Sequence, residues 1–152
     1  MAKPLVQDRI HTLMVPLHRL ALLVPSALVA EVVNPAPLAP LPLAPNWLKG
    51  VLSWRSRPVP VVSFEHLTNS ESGMPTARAK IVIFYPLPGR RPYEFFGVQS
   101  LAEPQPRTFH DATQLQTLVE HQSPLAAAAM QIDSTVALIP DLQALSAALY
   151  PR

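Results

Sequence analysis

The chain has no cysteine among its 152 residues. That absence removes disulfide bonds, thiolate zinc sites and thiol catalysis, and it suits a reducing cytoplasm. Glycine is scarce as well, with only four. Phosphate-cradling loops and nucleophile elbows need glycines at fixed spacing, and no G-x-S-x-G or P-loop pattern occurs. Charged residues make up 14% of the chain and the formal net charge is +2. No dense basic stripe is present, so no nucleic-acid partner is expected. The one adjacent pair, Arg90-Arg91, reads as a solvated loop tip. A long apolar run is also missing. The longest, Leu20 to Val33, is interrupted by Pro25, Ser26 and Glu31. It falls short of the ~20 apolar residues a spanning helix needs. Met1 to Asp8 carries no basic-then-apolar signal pattern. A soluble, cytoplasmic protein without direct membrane insertion is expected.

Catalytic constellations are missing too. The five histidines, His11, His18, His66, His110 and His121, show no i,i+4 pairing and no motif shared with carboxylates. No metal and no cofactor are expected from such spacings. The carboxylates Glu31, Glu65, Glu94, Asp111, Asp133 and Asp141 are scattered singly, which gives no acid/base pair. Glu65-His66 is adjacent in sequence, and neighbours on a strand point to opposite faces, so a solvated loop is the expectation there. These features give no support to an enzyme.

What the chain does have is 49% hydrophobic residues and 19 prolines. The first argues for a packed core and against disorder. The second excludes long helices and a large regular sheet, because proline breaks helix interiors and cannot donate to a ladder. Short strands and bends remain, in one domain of ordinary size.

Alternation around His18-Arg19 predicts a first hairpin, over 12–24. Residues 25–33, PSALVAEVV, suit a short helix or a third strand. Five prolines from Pro35 to Pro45 hold the backbone extended, either as a disordered linker or, since leucines and alanines fill the gaps and can pack, as an ordered strap lying over the body of the protein. Val51 to Phe64 predicts a hairpin turning near Ser56-Arg57. The polar stretch 65–79 reads as a loop between two halves. Strands Lys80–Leu87 and Tyr93–Leu101 are predicted next, with Phe84, Tyr85, Phe95 and Phe96 at core spacing. Thr113–His121 suits two helical turns. Ala126–Ala129 favours helix by propensity, yet MQI-DS-TVALI beside it reads as a hairpin. Asp141 can cap a helix to Leu149. The sum is an all-β fold of two small barrels with a short C-terminal helix.

One segment carries a family pattern. Residues 24–67 hold Val24-Pro25, Val29-Ala30-Glu31-Val32, Ala44-Pro45-Asn46-Trp47-Leu48-Lys49-Gly50, Trp54-Arg55-Ser56 and Val59-Pro60-Val61, at ungapped spacing. This stretch resembles the first half of CheW-like domains. More loosely, Tyr93–Glu103 and Met130–Leu145 are similar to the second half. Ser56 stands where the family has its turn glycine, and Ser63 where it has an acid. The latter departure removes a possible partner for Arg55. Trp47 and the V-V-S-F-E run look more like couplers of pilus-linked chemosensory systems than flagellar ones.

The resemblance implies a single CheW-like domain over 1–152, made of two packed five-stranded SH3-like barrels. The first barrel would span about 12–67 and the second 80–140, with the helix at 141–149. It implies a non-enzymatic adaptor joining the cytoplasmic tip of a chemoreceptor to the CheW-like regulatory domain of a CheA-type histidine kinase. Carried over by position, Val29, Glu31, Gly50 and Arg55 are receptor-side candidates. Each has a plainer reading: Val29 as core, Glu31 as a solvated strand residue, Gly50 as backbone geometry, Arg55 as a turn arginine. Trp47 is a possible interface anchor with partial exposure, and Trp54 is expected in the core.

Overall fold

The computed structural model describes residues 9–67, 77–110, 116–117 and 125–151. Among these residues eleven strands form two sheets. They are β1 (Ile10–Pro16), β2 (Ala21–Pro25), β3 (Val29–Val33), β4 (Leu48–Trp54), β5 (Arg57–Val62), β6 (Lys80–Phe84), β7 (Phe96–Ser100), β8 (Gln105–Phe109), β9 (Gln116–Thr117), β10 (Ala126–Ile132) and β11 (Thr135–Pro140). The described residues also form two helices, α1 (Phe64–Leu67) and α2 (Leu142–Leu149). A single 3-10 turn at Ser26–Leu28 leads into β3, so the 25–33 stretch divides between turn and strand.

One sheet runs β3-β6-β7-β5-β4 and the other β8-β1-β2-β11-β10-β9, the last strand of the second being two residues long. Pairing is antiparallel except for β5 with β7 and β2 with β11. Among the described residues neither ladder closes on itself through backbone bonds, while the strands pack in the manner of SH3-like barrels. The expected assignment of barrels to sequential halves is overturned. Residues 12–67 contribute β1 and β2 to one sheet but β3, β4 and β5 to the other. The chain enters the second sheet at β3 and returns to the first at β8. Local hairpin signals cannot reveal such a crossover, because they specify neighbours only.

Three hydrophobic clusters follow from strand alternation. Leu52, Trp54, Val59, Val61, Ile81 and Phe95 fill the inside of the five-stranded sheet. Leu23, Phe109, Met130, Ile132 and Ala137 fill the inside of the six-stranded one. The largest cluster lies between them and includes Val24, Val62, Val82, Phe84, Phe96, Leu138 and Leu145. Neighbouring residues such as Val61 and Val62 therefore serve different cores, as period-two alternation requires. Phe84 and Phe96 stack with ring centroids 5.0 Å apart in the central cluster.

Several local expectations change. The β4–β5 turn falls at Arg55-Ser56, both with left-handed φ (48° and 61°), rather than at Ser56-Arg57. Two consecutive positive φ angles match a two-residue hairpin turn of the kind that follows strand twist. The strap is ordered: Leu38 packs on the inner cluster, and Ala39 exchanges backbone hydrogen bonds with Val51 at 2.9 Å in both directions. Tyr85, expected in the core, is 47% exposed because it follows the end of β6. Glu65, expected in a solvated loop, is buried in α1, and its carboxylate accepts a hydrogen bond from the His18 amide at 3.1 Å. Arg90 is no solvated tip, since its side chain is 12% exposed and donates to the Tyr150 carbonyl. Of the 65–79 loop, residues 68–76 lie outside the described residues. So does most of the 113–121 helix expectation, of which Gln116–Thr117 pair with β10 as strand. The 126–129 alanines join β10. Asp141 caps α2, accepting from the Ala144 amide at 3.0 Å.

Candidate partner-docking site

The five-stranded sheet begins and ends with β3 and β4, so these two edges share no backbone ladder. Side chains join them instead. A register shift between Val29 and Glu31 breaks the alternation of β3. The Glu31 carboxylate then reaches the far end of β4. Arg55 Nη2 donates to Glu31 Oε1 at 2.8 Å, and Trp54 Nε1 donates to the same oxygen at 3.3 Å. Glu31 thus closes the rim of the barrel. The pair faces solvent, with side-chain exposures of 68% for Arg55 and 35% for Glu31.

The aromatic residues beneath are continuous with this rim. Trp54 and Phe95 pack with centroids 5.3 Å apart, and Tyr85 meets Phe95 at 6.2 Å. The Arg55 guanidinium lies 4.8 Å above the Trp54 ring, and that of Arg57 5.1 Å above Phe95. Stacked guanidinium groups keep their charge at the surface while the ring holds their orientation.

The five candidate residues from sequence do not form one cluster. Glu31 and Arg55 are bonded, so Arg55 has an acidic partner even with serine at position 63. Ser63 instead is buried and accepts from the His66 amide at the start of α1. Gly50 lies in β4 beneath the strap, with φ +145°. Val29 pairs with Phe84 and packs against the central core. Trp47 is half-buried on that same core, and its carbonyl accepts from the Ser63 amide. Trp54 is buried, as expected. Its bond to Glu31 was not foreseen, nor was the stacking of Arg57 on Phe95. Both depend on contacts between segments 23 or more residues apart, and no local spacing signals them.

Among the described residues no three metal-ligating side chains gather in one place, and no helix is long and apolar enough to cross a membrane. The organised polar feature at this rim is an exposed ion pair over aromatic rings. Fold and rim together define a β domain of two packed small sheets with an exposed ion pair over aromatic rings at one edge. The chain belongs to the CheW-like domain family, whose model matches residues 11–149. The fold is similar to the scaffolding protein TtCheW from Thermoanaerobacter tengcongensis, with TM-score 0.76 and 14% identity over 93% of this chain and 90% of that one. No curated protein matches the sequence.

Proposed function

We propose that this protein is a non-enzymatic chemotaxis adaptor that couples the cytoplasmic tip of a chemoreceptor to a CheA-type histidine kinase. The observation that carries the reading is the family match across residues 11–149. The receptor docks along the rim that includes Glu31 and Arg55, with Val29, Gly50 and Trp47 supporting it. The kinase contributes its own CheW-like regulatory domain. The rim suits this task because its ion pair is exposed and can exchange its bonds for bonds to a partner at little cost.

Two measurements test the proposal. Calorimetry with the regulatory domain of the cognate kinase is expected to show association. No heat at high micromolar concentration would remove the kinase from the reading. Glu31→Gln and Arg55→Glu are each expected to weaken binding of the receptor's soluble cytoplasmic fragment, with the denaturation midpoint nearly unchanged. Unaltered receptor binding in both variants would move the docking surface elsewhere.

A further inference from the structure

The Glu31–Arg55 rim does not end at its ion pair. Arg57 follows the turn and is exposed, and its guanidinium sits over Phe95. Phe95 itself is 9% exposed, and its ring centroid lies 5.3 Å from that of Trp54 and 6.2 Å from that of Tyr85. The result is a continuous strip: Arg55 on Trp54, Arg57 on Phe95, and Tyr85 at its edge with nearly half its surface in solvent. The charges on this strip do not balance. Glu31 answers Arg55 at 2.8 Å, whereas among the described residues no ion pair engages Arg57. A guanidinium held over a ring has already lost part of its rotamer freedom, so less entropy is lost when it binds a carboxylate. Tyr85, in contact with the same Phe95 ring, offers a rigid amphipathic contact of the type that anchors interfaces.

We infer that Arg57 and Tyr85 extend the docking rim and select a partner segment that carries a carboxylate beside an apolar side chain. The carboxylate meets Arg57 and the apolar group lies on Tyr85 and the edge of Phe95. Charge complementarity sets the sign, since the strip carries one unmatched positive charge and no unmatched negative one. This inference rests on the proposed receptor coupling and names the chemistry of the receptor segment. The occupant is the chemoreceptor tip rather than the kinase domain.

The test uses the full chain, the soluble cytoplasmic fragment of the cognate receptor and the kinase's regulatory domain. Arg57→Glu is expected to weaken binding to the receptor fragment by about tenfold or more, as for a charge reversal at a complementary contact. Binding to the kinase domain stays the same within a factor of about two. The loss should shrink as NaCl is raised from about 50 mM to 0.5 M, because exposed charges are screened. Arg57→Lys keeps the charge but not the planar stack, and should fall between wild type and Arg57→Glu. Tyr85→Ala should weaken the same complex. Exposure of Arg57 means that the fold survives its replacement, which an unchanged near-UV spectrum checks. Wild-type binding with no change in Arg57→Glu would overturn this inference and leave receptor coupling intact. Loss of kinase-domain binding instead would assign the strip to the kinase and overturn it too. Failure of the wild type to bind the receptor fragment would remove both this inference and the coupling proposal.

Discussion

Gly50 lies in β4 with φ +145°, and a Cβ built there would stand 2.8 Å from both the Ala39 carbonyl oxygen and Leu38 Cβ. Both contacts belong to the proline strap, whose Ala39 is fastened to Val51 by paired backbone bonds. Glycine is therefore required here for two separate reasons, backbone conformation and close approach. Gly50→Ala is expected to cost about 1–3 kcal/mol from strain at a sparsely populated φ. The midpoint of urea denaturation measures it, and an unchanged midpoint would mean that the strap yields freely. A loss of partner binding in this variant would not by itself make Gly50 a contact, because the strap moves with it. Glu31 poses the opposite case. Its pair with Arg55 is exposed, so the charge contributes no more than about 1 kcal/mol to stability. Glu31→Gln keeps an oxygen to accept from Trp54 Nε1 and removes only the charge. It is expected to leave the denaturation midpoint close to wild type, whereas Glu31→Ala also orphans a donor on the buried Trp54 and should cost more.

Helix α2 is fastened at both ends. Asp141 caps its start, and Leu142 and Leu145 sink into the central core. At its far end Tyr150 donates its hydroxyl to the Phe95 carbonyl at 2.8 Å, and its own carbonyl accepts from Arg90. Gln143 donates to the Pro88 carbonyl. The helix follows a strand of the six-stranded sheet but grips the β6–β7 loop of the five-stranded one. Burial of the Tyr150 phenol, then the nearby Glu94 and Tyr93, pushes its pKa up to about 12 from 10.0. Below pH 10 the phenol is protonated in both folded and unfolded chains, and its contribution is fully present. Between pH 10 and 12 the unfolded chain releases the proton first, so stability falls as pH rises. Tyr150→Phe is expected to flatten that part of the curve. Equal slopes in wild type and variant, measured by denaturation between pH 9 and 12, would contradict this. The helix was legible in sequence because Asp141 and the leucine spacing are local signals. So were the hairpins at β4–β5, β6–β7 and β10–β11, each an alternating run around a turn. Strand β8 was not. Its sequence, Gln-Pro-Arg-Thr-Phe, offers one buried apolar side chain, and among the described residues it pairs with β1 alone, at a sheet edge. Edge strands need little hydrophobicity and tolerate proline, so nothing in the five residues marks them. The site was half legible for the same reason. Family spacing pointed to Glu31 and Arg55 separately, while the bond between them exists only once the β3 and β4 edges approach, and the Arg57 stack only once β5 lies beside β7.

At the scale of the whole molecule, the path of the chain decides how it can fold. The six-stranded sheet takes β1 and β2 from the start of the chain and β8 to β11 from its end, with the whole five-stranded sheet inserted between. That inner sheet in turn needs β6 and β7, which lie beyond the polar stretch at 65–79. Each barrel therefore depends on residues from both sides of that stretch. The central core makes the dependence stronger, because Val24 and Leu138 of one sheet pack with Val62, Val82 and Phe96 of the other. A chain cut at the polar stretch would leave β5 without its partner β7, β3 without β6, and β1 and β2 without β8 and β11. Exposed hydrophobic faces of that extent cannot offset the entropy of ordering so few residues. Fragments 1–67 and 77–152 are thus each expected to lack a cooperative thermal transition when expressed alone. The intact chain should unfold in one step, with tryptophan fluorescence and far-UV signals coinciding. Mixing the two fragments is expected to restore the transition, since every missing strand is then present. A cooperative transition in fragment 1–67 alone would show that the first barrel is an independent unit, and the interleaved ladder would have to be abandoned as the organising feature of the fold.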